Sequence, residues 1–227
     1  MRVFCARMCV RYVIPEQPAA EREFSPAQRW WRFSPSFNVA PGRHVPAVRL
    51  HAGESEGVML RWGLVSAEAK GDVTQAGPSG LALGETDRAD WRAAWLNGQR
   101  CLLPLCGFYA WRRVPAGYRQ PLFVHVPGRS VLLAAGLWER SESDADDVIE
   151  SCALWLLPPV RVGAGRAPCP VPAILPRTAY EPWLHGTPAE ARDLLRQLAP
   201  VPLVWRAVSP RINRLEHDDA QLIEAVS

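Results

Sequence analysis

Residues 130–138 read Ser-Val-Leu-Leu-Ala-Ala-Gly-Leu-Trp and residues 152–157 read Cys-Ala-Leu-Trp-Leu-Leu. Between them lies the acidic run Ser-Glu-Ser-Asp-Ala-Asp-Asp at 141–147. Two apolar runs of strand length around a polar break read as buried strands joined by a hairpin tip or loop. Working outward, residues 57–65, 121–126 and 201–208 are further apolar runs of the same length, with Gly, Pro, Ser or Asp close to most of their ends. The 22 prolines favour many short strands and rigid connections over long helices. Three segments read as helices. Thr187-Pro188-Ala189-Glu190 is a capping box with Pro at the first helical position, followed by an apolar stripe at Ala191, Leu194, Leu195 and Leu198. Residues 87–96 put Trp91, Ala94 and Trp95 on one face, and Ser25-Pro26 opens a shorter helix through Trp30 and Trp31. Loops are expected at about 66–85 and 160–170, where function often gathers. The fold class is therefore α+β: a single β-rich domain with a mixed, barrel-like sheet and a few flanking helices.

At 227 residues, 48% of them hydrophobic and 22% charged, the chain excludes a wholly disordered or fibrous protein. Its longest uncharged apolar stretches, 130–138 and 151–160, are too short to span a bilayer. Arg2, Arg7 and Arg11 interrupt the N-terminus, so it lacks the apolar core of a secretory signal and the cytoplasm is the expected compartment. The net charge is only +3, which by itself names no partner, yet of 26 basic residues only Lys70 is a lysine. Arginine suits bidentate phosphate contacts, although a coding bias toward Arg, Ala and Pro explains the same count. The six cysteines at 5, 9, 101, 106, 152 and 169 show no C-x-x-C spacing, so no metal or cofactor is expected.

Several short strings carry a resemblance in a shared order. They are Met8-Cys9-Val10-Arg11-Tyr12, Asn38-Val39-Ala40-Pro41, Leu60-Arg61-Trp62-Gly63-Leu64, Glu85-Thr86 and Arg100-Cys101-Leu102-Leu103-Pro104. Gly107-Phe108-Tyr109 with Trp111, Ala135-Gly136-Leu137-Trp138-Glu139, Pro172-Ala173-Ile174-Leu175-Pro176 and Val208-Ser209-Pro210-Arg211-Ile212-Asn213 complete the series. Together they resemble the SRAP family, SOS response-associated peptidases that process abasic sites in single-stranded DNA. The resemblance implies a β-rich α+β fold with a positively charged DNA groove. It also implies chemistry at an N-terminal Cys exposed by removal of Met. The α-amine condenses with the ring-opened aldehyde of an abasic sugar, and the thiol of the same residue closes a thiazolidine. Only at a chain terminus do a free amine and a thiol sit on adjacent carbons, and an α-amine with a pKa of about 8 is partly neutral near pH 7.

Cys9 is the matching residue, so the resemblance implies that the mature chain starts there. Residues 1–7 would be a mis-assigned or cleaved extension, and 8–227 the SRAP-like domain. By its own surroundings, between Met8 and Val10, Cys9 reads instead as a buried strand residue. Asn38 matches a family residue that lines the active site, and Trp62 an aromatic that stacks or wedges at the DNA junction. Arg61 and Arg211, with Arg100, Arg112 and Arg113, are candidates for the basic groove. Tyr109, Trp111, Trp138 and Trp155 read as core or near-core aromatics.

The departures from the family fall on its chemistry. Ala110 stands at the family's Glu, Pro168 at its His, Leu81 and Leu83 at an Asn and an Arg that contact DNA, and Val10 at the Gly after the Cys. Losing one positioned acid or base costs roughly 10²–10⁴ in rate. Glu85 and the imidazoles of His44, His51, His125, His185 and His217 are the available substitutes, and nothing in the sequence places any of them beside Cys9. The first expectation is a nucleoid-associated protein that binds single-stranded or abasic DNA, with slow crosslinking through Cys9. The alternatives are a catalytically degenerate binding or interaction module and a self-processing thiol peptidase.

Overall fold

The structure, a computed structural model, describes residues 11–66, 77–114, 117–142, 148–160, 169–199 and 201–226. In chain order the strands are β1 Tyr12–Ile14, β2 Gln28–Arg29, β3 Ser36–Val39, β4 His44–His51, β5 Glu54–Trp62, β6 Gly80–Ala82, β7 Arg100–Leu105, β8 Gly107–Arg113, β9 Arg119–His125, β10 Leu132–Glu142, β11 Val148–Val160, β12 Cys169–Pro172, β13 Ile174–Leu175 and β14 Val204–Ala207. The helices are α1 Gln17–Glu23, α2 Ala89–Leu96, α3 Tyr180–His185 and α4 Pro188–Gln197. No described helix is long and apolar enough to cross a membrane.

The two apolar runs at 130–138 and 152–157 form the antiparallel pair β10–β11, in register from Gly136↔Leu154 to Glu142↔Val148. β10 then pairs with β7, β7 with β4 and β4 with β5. A parallel pairing of β5 with β11, Arg61↔Ser151 and Trp62↔Cys152, closes these five strands into a ring. The expected mixed, barrel-like sheet is this ring. Alternation along its strands sends Val45, Ala47, Val58, Leu60, Trp62, Cys101, Leu103, Ala134, Cys152 and Leu154 to one face. That face is the interior: Arg49 of β4 bonds Glu56 of β5 at 2.7 Å and reaches across to Glu150 of β11 at 2.8 Å.

A second sheet, in the order β14-β9-β8-β1-β3, covers this interior with Tyr12, Phe108, Ala110, Leu122 and Val124. The opposite face of the ring packs against the helices through Trp91, Trp95, Trp155, Trp183 and Leu195. The outer face of the second sheet, with Tyr109 and Phe123, packs against the chain's last described stretch through Val208, Ile212 and Leu222.

The capping box forms as its spacing dictates. Thr187 Oγ1 accepts from Glu190 N–H at 3.3 Å, and the Glu190 carboxylate accepts from Thr187 N–H at 2.7 Å. The expected helix at Ser25-Pro26 does not form. Residues 28–29 instead run parallel to β5, and Trp30 N–H donates to Gly57 O at 2.8 Å. The Trp31 ring lies where a side chain of residue 57 would stand: a Cβ there would meet Trp31 Cδ2 at 2.6 Å. A glycine 26 positions away thus overrides the local helical signal. The helix lies earlier, in α1, with Pro18 in its first turn. Much of the two expected loops, residues 67–76 and 161–168, lies outside the described residues, as does 143–147 of the acidic run.

Candidate functional site

Cys9 and Pro168 lie outside the described residues, and the described chain opens at Arg11. Its first two residues touch two of the sequence-predicted site residues. Arg11 Nη1 donates to Asn38 Oδ1 at 2.7 Å, and the Tyr12 ring meets Trp62 edge-on with centroids 4.8 Å apart. Arg11 O accepts from Tyr109 N–H at 3.0 Å, which seats this end of the chain against β8 one residue before Ala110.

Asn38 is buried on β3 and acts as a fastener. Its Nδ2 donates to Arg214 O at 2.9 Å and His217 O at 2.7 Å, while Arg11 Nη1 also reaches Ile212 O at 3.3 Å. Asp218 accepts from Ser36 Oγ at 2.8 Å, from Phe37 N–H and from Asn38 N–H at 2.9 Å. The segment 209–219 is thus laced across β1 and β3 by side chains about 180 positions away in sequence. Arg211 belongs to the same lacing: its Nη2 sits 2.8 Å from Asp219 Oδ2 and 3.4 Å from His217 Nδ1, and Nη1 donates to Gln221 Oε1 at 3.2 Å. Asn38 and Arg211 therefore meet on one clamp. His217 and Asp218, the imidazole and carboxylate of that clamp, carried no local signal in the sequence.

Trp62 lies in the core. It is only 1% exposed, and its Nε1 donates to Ser79 O at 2.8 Å inside the core. A base-stacking aromatic needs an open face, and this one has none. The alternation Val58, Leu60, Trp62 explains its position as ring interior. Arg61 alternates to the other face of β5 and is half-buried there. Among the other expected groove residues, Arg100 is buried under the helices and donates to Trp183 O at 2.6 Å, so it is structural.

The departures from the resemblance are accommodated by packing. Ala110 is buried in the interior opposite Leu122, and Leu81 is fully buried among the tryptophans of the helix side. Glu85 is used locally: it accepts from Ala82 N–H at 2.6 Å and from Arg88 at 3.2 Å.

Burial also sets the chemistry of the other thiols. Cys101 and Cys152 are fully buried, and desolvation drives both far above the usual thiol range. Burial pushes Cys106 up to about 11, aided by the charge of Glu16. All three are held as thiols near neutral pH, which makes them poor nucleophiles. The Tyr12 phenol is raised well above its ordinary value by burial, then by Cys152 and Cys101, and among the described residues its hydroxyl has no hydrogen-bond partner. Desolvation lowers Arg11, but a guanidinium stays charged at any physiological pH. Among the described residues no group of three or more His, Cys, Asp or Glu could hold a metal ion.

The family model described as SOS response associated peptidase (SRAP) matches residues 8–215. Among curated proteins, the abasic site processing protein YoaM of Bacillus subtilis is 23% identical over 197 residues, covering 85% of this chain and 86% of YoaM. The abasic site processing protein HMCES of Rattus norvegicus is 23% identical over 235 residues, covering 85% of this chain and 65% of HMCES. Among solved structures, a Bordetella bronchiseptica protein superposes with a TM-score of 0.73 at 21% identity, covering 88% of this chain and all of that one. A Bacteroides thetaiotaomicron protein gives 0.72 at 16% identity, covering 84% and 85%. At those identities the two structures speak for the fold alone.

Proposed function

Because the chain belongs to the SOS response associated peptidase family, we propose that it acts in the DNA damage response by binding single-stranded DNA and capturing abasic sites through Cys9. The observation that carries this reading is the family match, which runs over residues 8–215 and so opens at Met8-Cys9. The names of YoaM and HMCES as abasic site processing proteins support the substrate class.

After maturation to Cys9, the α-amine would add to the sugar aldehyde and lose water, leaving an imine. The thiol would then add to the imine carbon, with its proton passing to nitrogen, and close the thiazolidine. The geometry supports this end of the chain as the reacting one. Arg11 is fixed to Asn38 and β8, and Cys9 is two residues upstream, a covalent reach of about 7 Å. Cys101 and Cys152 are too buried to compete and half-burial raises Cys106, while Cys169 is half-buried. The replacement of the family's Glu by Ala110 argues for a slow reaction, by roughly 10²–10⁴.

One observation favours a second reading, a non-covalent binding module. Ala110 and Leu81 are packed as core residues, so the positions that resemble catalytic and DNA-contacting groups have been turned to stability. Protein beginning at Cys9 and single-stranded DNA with one abasic site separate the two on a denaturing gel. The first reading expects a covalent band that accumulates more slowly than with YoaM and vanishes in Cys9→Ala. Absence of a band while YoaM gives one, with DNA affinity intact, establishes the second.

A further inference from the structure

The exposed end of the β8–β9–β14 sheet carries basic charge alone. These three strands carry Arg112, Arg113, Arg119 and Arg206 and not one Asp or Glu. Arg113 and Arg119 are direct cross-strand partners, a like-charge pairing that works against the sheet. Among the described residues none of the four arginines has an ion pair or a side-chain hydrogen bond, and Nε of Arg112 is buried without a partner. Elsewhere carboxylates pair with Arg49, Arg88, Arg129, Arg177, Arg192 and Arg211. Arg113, Arg119 and Arg206 lie on the outer face with Phe123; on the inner face Arg112 stands beside Trp205, 39% exposed, with its guanidinium 5.4 Å from the ring centroid.

The placement matters as much as the composition. Along β8 the inner face runs Phe108, Ala110, Arg112, and the register sets Trp205 opposite Val124 of the same face. Phe108 and Ala110 are sealed in the core; Arg112 and Trp205 are where that face emerges to solvent. Arg112 lies two strand positions, about 7 Å, beyond Ala110.

We propose that Arg112 and Trp205 form a nucleotide platform. The indole stacks on a base of a single nucleic-acid strand, and Arg112, on the same face of the sheet, holds the adjoining phosphate. The occupant is a nucleic-acid strand rather than an acidic peptide because an open indole beside an unpaired guanidinium offers both a stacking face and a phosphate fork. The proposal rests on the DNA-binding reading above and names the side chains that carry it, with Trp205 in the role expected of Trp62.

The test uses the full chain, fluorescence anisotropy with a labelled oligo-dT, and inorganic polyphosphate as a competitor that lacks bases. Trp205→Ala is expected to weaken oligo-dT binding about tenfold. Trp205→Phe restores most of the affinity, and polyphosphate binding stays unchanged in both. Arg112→Ala weakens both ligands and lowers the salt dependence of oligo-dT binding by about one phosphate contact. Trp30→Ala, at a more exposed tryptophan away from the platform, serves as the control and changes nothing. Should Trp205→Ala not fold, as read by circular dichroism, Trp205→Phe and Arg112→Ala decide the matter by the same measurements. If the parent chain binds oligo-dT and neither Trp205 nor Arg112 matters, the platform is wrong and the DNA-binding reading stands. If Trp205→Ala weakens polyphosphate as much as oligo-dT, the site reads charge alone, as an acidic peptide would need, and stacking is refuted. If the parent chain fails to bind oligo-dT, both readings fall.

Discussion

The helix-covered side of the molecule and the β8–β9–β14 end use the same residue types to opposite purposes. On the helix side tryptophans are packed into the core and several arginines are paired, although among the described residues the indole N–H groups of Trp95 and Trp155 are buried without a hydrogen-bond partner. Trp95 and Trp155 pack edge-on at 5.3 Å, Trp183 Nε1 donates to Cys101 O at 2.9 Å, and Glu23 draws in Arg129, Arg177 and Tyr180. On the other side Trp205 is open and Arg113 faces Arg119 across the sheet. A charge neutralised within the fold costs its desolvation once and then contributes to stability. A cluster of like charges left unpaired lowers stability and raises the local potential, which favours an anionic partner. The contrast therefore sets a packed scaffold against the surface proposed above to bind a nucleic-acid strand.

The sharpest way to break this contrast is to remove an aromatic from the scaffold side. Trp183→Ala should cost about 3–5 kcal/mol, since it empties a fully buried site and strands Cys101 O. Thermal denaturation measures the loss, and oligo-dT affinity below the new midpoint should match the parent. If that affinity fell as well, the two sides would not be separable.

The next effect in size tests the seam between the regions. Asn38→Ala removes the donor to Arg214 O and His217 O and the acceptor for Arg11, so about 2–3 kcal/mol is expected. Because the lacing rather than a core cavity is lost, limited proteolysis should cut within 209–219 before any other described segment. Uniform protease sensitivity would mean that Asn38 supports the whole fold instead.

A smaller and pH-dependent effect belongs to Glu23. Burial disfavours its charge, but hydrogen bonds from Arg177 and Tyr180 and the charge of Arg129 outweigh that, and its pKa is lowered in the folded state. The stability it contributes is therefore fully present above the ordinary carboxylate pKa of about 4.3 and is lost as pH falls through the lower folded value. The gap in midpoint between the parent and Glu23→Gln should be largest at pH 6–7 and close on acidification. A gap independent of pH would assign Glu23 a packing role alone.

What the sequence discloses follows from how local each signal is. The Thr187–Glu190 box and the β10–β11 pair are written within a few residues of one another, and both are present as read. Trp62 was legible too, because Val58, Leu60 and Trp62 share the period of a buried strand; the resemblance drew attention to its chemistry instead. The clamp was not legible. Asn38 and Arg211 stand out in the sequence only through the resemblance and His217 only as one of five imidazoles, and only the fold brings positions 38 and 217 together. Nor did the run 201–208 disclose that Val204 and Trp205 would be exposed, since that depends on β14 being a sheet edge.

The smallest expected change is also the most discriminating for the chain's first described residues. The Tyr12 hydroxyl is fully buried without a partner among the described residues, against Trp62 and beside Cys101 and Cys152. An orphaned hydroxyl of this kind costs free energy, so Tyr12→Phe should leave stability unchanged or raise it by about 1 kcal/mol. A purely structural Tyr12 also leaves the rate of adduct formation with abasic DNA at the parent value. If Tyr12→Phe instead stabilises the protein while slowing that reaction, the phenol is held unsatisfied for the bound state. The interior beside Ala110 would then be part of the reacting site, and the division between scaffold and binding surface would have to be redrawn through β1.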